Sequence, residues 1–209
     1  MKPGTTVAHG KLQITNCKLQ IRAGVRVLRL YSPDGSNRLT RACVLELAAA
    51  IRDLALTAQP LIITGNDRFF SAGADLHELA VLSGPQALEF SRAGQELMNA
   101  IADFPAPVWA AIHGYCMGGG LDLALACHGR VASPHAIFGH RGAALGLITG
   151  WGGTQRLPRL VGKARALQML VAAEKVNAQE ALRIGVVDAV AEDPVGWAAA
   201  KLQHAATCS

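Results

Sequence analysis

The stretch Val108-Trp109-Ala110-Ala111-Ile112, followed by His113-Gly114-Tyr115-Cys116-Met117-Gly118-Gly119-Gly120-Leu121-Asp122, decides how this chain is read. Five apolar residues in a row predict a short buried strand, and four glycines then interrupt the pattern before an apolar helical run, Asp122 to Cys127, begins. A strand that enters a helix through glycines leaves free N–H groups at the helix start, where the helix dipole favours negative charge. The missing side chains also let a ligand approach the backbone closely. The spacing fits neither the G-x-G-x-x-G of a dinucleotide site nor a P-loop. Taken alone, the three adjacent glycines are equally well read as a tight helix–sheet packing point.

Working outward, the chain alternates strands and helices. Val25 to Tyr31 alternates apolar with basic residues, as a half-buried strand does, and a turn follows over Ser32 to Asn37. Thr40 is placed to cap a helix carrying Val44, Leu47, Ala48, Ile51 and Leu54. Pro60 to Gly65 reads as a buried strand, and Pro85 opens a helix that stops at Pro105-Ala106-Pro107. Short strands are expected at Arg130 to Ala132 and Ala136 to Phe138. Helices should follow Gly152-Gly153-Thr154, run from Lys163 to Ala173, and span Ala178 to Arg183, with Gly185 as the last cap. This order predicts an α/β fold with parallel pairing, in one domain spanning 1–209 with its core over about 25–190. In such folds ligands gather where strand ends meet helix starts. Two segments qualify: the Gly-rich turn, and Phe69-Phe70-Ser71-Ala72-Gly73-Ala74-Asp75-Leu76. Two backbone N–H groups aimed at one oxygen would make an oxyanion hole.

Composition narrows the function classes. Hydrophobic residues make up 51% of the 209 and charged residues 17%, which excludes global disorder. The net charge of +5 and pI near 9.2 suit an anionic partner, but Lys and Arg are dispersed, so a phosphate-bearing small molecule fits at least as well as a nucleic acid. Five cysteines with no C-x-x-C pair argue against disulfides or structural zinc and for a reducing cytoplasmic setting. His113, His128, His135 and His140 lack metal-ligand spacing, so no metal is expected. No signal peptide or membrane-spanning run is visible, which predicts a soluble protein. Cys116 has no neighbouring base and reads as a small apolar filler rather than a nucleophile. No G-x-S-x-G elbow is present.

Several linked motifs, in order and at the right spacing, resemble the enoyl-CoA hydratase/isomerase (crotonase) family. They are Ile63-Thr64-Gly65, Phe70 to Leu76, Ala111-Ile112-His113-Gly114-Tyr115, Gly118 to Ala124, Gly152-Gly153-Thr154-Gln155-Arg156-Leu157, and Val161 to Ala166. The resemblance implies a crotonase-type spiral of ββα units that binds an acyl-CoA thioester and assembles as a homotrimer or a dimer of trimers. It further implies that coenzyme A enters only as part of the substrate, with no separate cofactor. Matched residue by residue, the oxyanion donors fall at Ala74 and Gly119. Ala72, Asp75 and Leu76 fall where the family cradles the adenine end of coenzyme A, and Asn37 falls on the pantetheine and phosphate path.

The hydratases it resembles use two carboxyl groups, as adding water requires both a base and an acid. The first position here is Asp122. The second is Gly142, and the family's other acid location is Gly150, flanked by Thr149 and Trp151. His140 and Arg141 are possible auxiliary groups, for a proton or an anion clamp. A glycine at the second position also resembles the dihydroxynaphthoyl-CoA synthases, although their acidic loop differs from Ser71 to Asp75. His113 is expected to make a supporting hydrogen bond. The family's C-terminal helical region is expected to be shortened, leaving a partner subunit or a reduced lid to close the site. Hydratase-like lyase chemistry on a fatty acyl thioester is the leading expectation. An isomerase, a decarboxylase and a non-catalytic acyl-CoA-binding protein are the alternatives.

Overall fold

The computed structural model describes residues 15–207, with side chains up to residue 204. Cys208 lies outside the described residues. The described residues open with a hairpin of β1 (Cys17–Arg22), which pattern reading overlooks, and the expected β2 (Val25–Leu30), turned by Ala23 and Gly24 at positive φ. β1 is exposed from Lys18 onward, so it lacks the buried face that would announce a strand. Next come β3 (Arg38–Leu39) and α1 (Arg41–Ala55). Thr40 caps α1 as expected, its side chain accepting from the Cys43 N–H at 3.1 Å. Val44, Leu47, Ala48 and Ile51 form the buried stripe of α1 at helical spacing. Each such large apolar side chain contributes roughly 1.5–3 kcal/mol on burial.

The pattern of β2, β3 and α1 repeats. β4 (Leu61–Thr64), β5 (Phe69–Ser71) and β6 (Gly73–Ala74) lead into α2 (Leu76–Ala80) and α3 (Gly84–Ala102). β7 (Val108–Ile112) and β8 (Tyr115–Met117) lead into α4 (Gly119–Ala126). β9 (Gly129–Ala132) and β10 (Ile137–Gly139) lead through a short 3-10 turn into α5 (Gly153–Val161) and α6 (Lys163–Val171). Then follow β11 (Lys175–Asn177), α7 (Ala178–Arg183), β12 (Ala189–Val190) and α8 (Pro194–Thr207).

Within each repeat the first strand joins a six-stranded sheet of order β1-β2-β4-β7-β9-β12, parallel except at the β1 edge. For the middle repeats the second strand joins a four-stranded sheet, β11-β10-β8-β5, while β3 pairs with β6. This is the mixed α/β spiral of ββα units that the resemblance implied. The main core lies between the sheets and α1, α3 and α4. A smaller cluster, Val27, Ile62, Ala111 and Val131, is covered by Val195, Ala198, Ala199 and Leu202 of α8.

The Gly-rich segment departs from its reading as a direct strand-to-helix turn. Gly114, at φ +57, swings the chain from one sheet to the other, and Tyr115 to Met117 form β8 before the helix begins. A Cβ on Gly114 would run into the Arg68 carbonyl, so the crossing depends on glycine. The helix itself starts at Gly119, three residues ahead of Asp122. Its polar-poor, glycine-led first turn conceals that start in the sequence.

Candidate active site

Two glycine-bearing loops pack backbone against backbone. Gly73 sits at φ +92, and a Cβ there would lie 2.6 Å from the Met117 carbonyl and 3.0 Å from the Gly119 nitrogen. Gly118 takes φ +51 as it caps α4. The Leu121 and Asp122 N–H groups donate to the Gly118 carbonyl at 2.9 and 3.1 Å, so the Gly119 and Gly120 N–H groups precede the helical ladder. Ser71 locks the approach: its hydroxyl donates to the Asn37 carbonyl at 2.7 Å and accepts from the Gly73 N–H at 3.1 Å. Its Cβ fills the space left by Gly120. A side-chain carbon on Gly119 would sit 3.4 Å from the Ala74 nitrogen, so the two amides share one wall.

That wall belongs to a cavity of about 470 Å³, the size of a small-molecule site. Ala72, Ala74, Leu76, Gly119, Asp122, His140 and Arg141 all line it, together with Gly142, Thr149 to Trp151 and the α2–α3 side chains Leu79 and Phe90. Expectations differ from placement at two residues. Asp75 turns its carboxylate to the His77 and Glu78 N–H groups, at 2.8 and 3.1 Å, and to Arg38 at 3.2 Å. Burial alone would raise its pKa, but the Glu78 N–H, Arg38 and the His77 N–H together hold it below the usual carboxylate range. Asn37, at φ +51 and buried, points Nδ2 at the Phe69 and Phe70 carbonyls. It braces the loop from behind and is not among the cavity-lining residues.

Asp122 is the cavity's buried acid, its side chain 2% exposed. Its Oδ1 lies 2.9 Å from His140 Nε2, and its Oδ2 accepts from the Thr149 hydroxyl. Pairing of β8 with β10 brings these groups together, because Met117 stands opposite Gly139 and the Gly118 N–H donates to the Gly139 carbonyl at 2.9 Å. The carboxylate therefore lies in the first turn of α4, against Gly153 at the start of α5. At both helix starts the dipole favours an anion. Arg156 lies within electrostatic reach of it; burial lowers the Arg156 pKa, and Asp122 opposes that shift.

The missing second carboxylate has a structural counterpart. The Gly142 carbonyl accepts from the Leu145 and Leu147 N–H groups at 2.8 Å each, and a Cβ on Gly142 would meet the Leu147 carbonyl at 2.8 Å. The loop is closed over the position where that side chain would project. At the alternative location, the Gly150 carbonyl accepts from Gln95 Nε2 at 2.8 Å.

Two contributors escaped sequence reasoning. Thr149, in sequence merely a neighbour of Gly150, holds Asp122 from 27 positions away. Trp151 slots between Gly94 of α3 and Gly119, edge-on to Phe90 at 5.2 Å between ring centroids. A glycine in mid-helix, Gly94, was the available signal. Cys116 is fully enclosed, with its thiol toward the Gly120 carbonyl at 3.5 Å and its pKa pushed well up by burial, so it is inert as a nucleophile. His113 lies away from the cavity lining, half-buried; desolvation lowers its pKa, and Asp67 and Asp193 oppose the shift.

The sequence profile of the enoyl-CoA hydratase/isomerase family matches residues 20–205. The chain belongs to the enoyl-CoA hydratase/isomerase family. It is 42% identical over 172 residues to a probable enoyl-CoA hydratase of Bacillus subtilis, covering 81% of this chain and 66% of the relative. It is also 41% identical over 182 residues to a crotonyl-CoA hydratase of Syntrophomonas wolfei, covering 85% and 69%. Among solved structures, Pseudomonas aeruginosa DspI superposes with a TM-score of 0.87 at 35% identity, over 94% of this chain and 84% of that one. The chain spans about two thirds of the length of the curated relatives it matches. Among the described residues, no helix of this family member is long and apolar enough to cross a membrane.

Proposed function

We propose that the protein is an acyl-CoA enzyme that polarises a thioester carbonyl between the Ala74 and Gly119 N–H groups and hydrates an enoyl-CoA. The acid–base chemistry is centred on Asp122. The observation that carries this reading is the presence of both amides and the buried Asp122 carboxylate around one cavity. Two fixed donors on the thioester oxygen stabilise the enolate formed when water adds to the β-carbon. Losing one donor of this kind costs on the order of 3 kcal/mol. Ala72, Asp75 and Leu76 belong to the loop that would cradle the adenine end of coenzyme A, with Ala72 and Leu76 lining the cavity. Coenzyme A comes with the substrate, and the reaction needs no resident cofactor. Assembly as a homotrimer or a dimer of trimers would cover the exposed apolar side chains Leu160, Leu167, Val171 and Leu182.

A second reading, isomerase or decarboxylase, draws on the closed loop at Gly142. Either reaction needs one proton-handling centre, and Asp122 is the single acid among the described residues that line the cavity. The deciding experiment is turnover of crotonyl-CoA by the wild type and by Asp122→Asn. Hydration by the wild type, reduced about 10²- to 10⁴-fold in the variant with coenzyme A binding retained, is the expected result. Tight binding without turnover of enoyl, 3-hydroxyacyl or malonyl-type thioesters would make the protein a binding module instead.

A further inference from the structure

Both oxygens of the Asp122 carboxylate are engaged inside the protein, one by His140 Nε2 at 2.9 Å and the other by the Thr149 hydroxyl. Neither side chain of the Asp122–His140 pair is more than 5% exposed, and both line the cavity. A carboxylate held in this way fixes a neighbouring imidazole: Nε2 keeps its hydrogen and donates it to Oδ1, which leaves Nδ1 as the basic nitrogen. The backbone that carries the imidazole is fixed, because His140 directly follows β10, locked in register with β8. Gly153 closes over the pair, with a Cβ there falling 3.0 Å from His140 Nε2.

We infer that His140 is the proton-carrying residue of this site and that Asp122 is a positioning residue acting through it. One aspartate–histidine pair would then replace two separate carboxyl groups, which accounts for a functional site with glycine at position 142. The inference rests on the proposed acyl-CoA chemistry. In the addition, the oxygen of water bonds to the β-carbon, and the double-bond electrons move into the thioester to give the enolate. The proton released from water goes to His140 Nδ1. The imidazolium, balanced by the Asp122 carboxylate, then returns that proton to the α-carbon. The enolate collapses to the 3-hydroxyacyl thioester and the pair regains its starting state. The same nitrogen suffices to remove and return an α-hydrogen without any addition.

The test compares wild type, Asp122→Asn, His140→Gln and His140→Ala in two assays: hydration of crotonyl-CoA, and exchange of the α-hydrogens of butyryl-CoA in deuterated water. The expected result is a fall on the order of 100-fold or more in kcat for His140→Gln in both assays, with KM little changed. Added imidazole should restore part of the activity of His140→Ala. A His140→Gln variant that keeps its kcat while Asp122→Asn loses it would overturn the inference and leave Asp122 itself as the base. Exchange that depends on His140 in a protein that hydrates no enoyl thioester would support the inference and refute the hydratase reading. Should the variants fail to fold, the nitrogen resonances of His140 in the wild-type protein decide. A neutral ring protonated at Nε2 is expected, and one protonated at Nδ1 contradicts the assignment.

Discussion

Replacing Gly153 with alanine separates helix stability from site geometry. Gly153 opens α5 without a positive φ, so alanine suits the backbone there and would gain up to about 1 kcal/mol of helix propensity. The added methyl, however, falls inside contact distance of Asp122 Oδ1, 2.9 Å from the Thr149 methyl and 3.0 Å from His140 Nε2. The carboxylate must move by about 1 Å, a displacement that can cost about 100-fold in rate. Moving it also strains a hydrogen bond to a charged group, worth roughly 1.5–3 kcal/mol. The net expectation is a destabilisation of about 0.5–2 kcal/mol, seen as a melting temperature lower by about 1–8 °C in a chain of this size. Steady-state crotonyl-CoA kinetics should show kcat/KM down about 100-fold. A variant that melts higher than wild type and keeps its kcat would refute the packing of α5 against the Asp122–His140 pair.

Two further outcomes follow from the same geometry. Gly73→Ala forces a side chain into positive φ and against the Met117 carbonyl, so it should cost about 1–3 kcal/mol in stability and, by spreading the two amides, about 10²- to 10³-fold in kcat. His113 has a folded-state pKa lowered by burial, so below the unfolded imidazole value of about 6.5 the unfolded chain binds more protons than the folded one. Its contribution to stability is full above that pH and is lost as pH falls through the folded value. Melting curves between about pH 7.5 and 5 should show this slope in the wild type, and a flatter one in His113→Gln.

What the sequence made legible was local periodicity and motif spacing. The buried stripe of α1, the runs at β4 and β7, and the Thr40 cap are all written in neighbouring residues. Strands of three residues, such as β5, β8 and β11, are too short to carry a period, and their partners lie far along the chain. The candidate site divides in the same way. Ala74, Gly119 and Asp122 can be nominated from the sequence because they sit within motifs. Thr149 and the bond from His140 to Asp122 are not legible, because 27 and 18 positions separate those partners and only tertiary folding brings them together. Asn37 shows the converse: motif matching assigned it to the ligand path, whereas its burial and its two backbone acceptors make it a brace behind the loop.

The paired amides of Ala74 and Gly119 remain the centre of the account, and carbon NMR of a bound thioester tests them most directly. Crotonyl-CoA labelled at the carbonyl carbon, bound to Asp122→Asn so that turnover is slow, should show its resonance shifted downfield from the free thioester, as two hydrogen bonds to the oxygen withdraw charge from that carbon. A carbonyl resonance that stays at its free position while the ligand is fully bound would contradict the account.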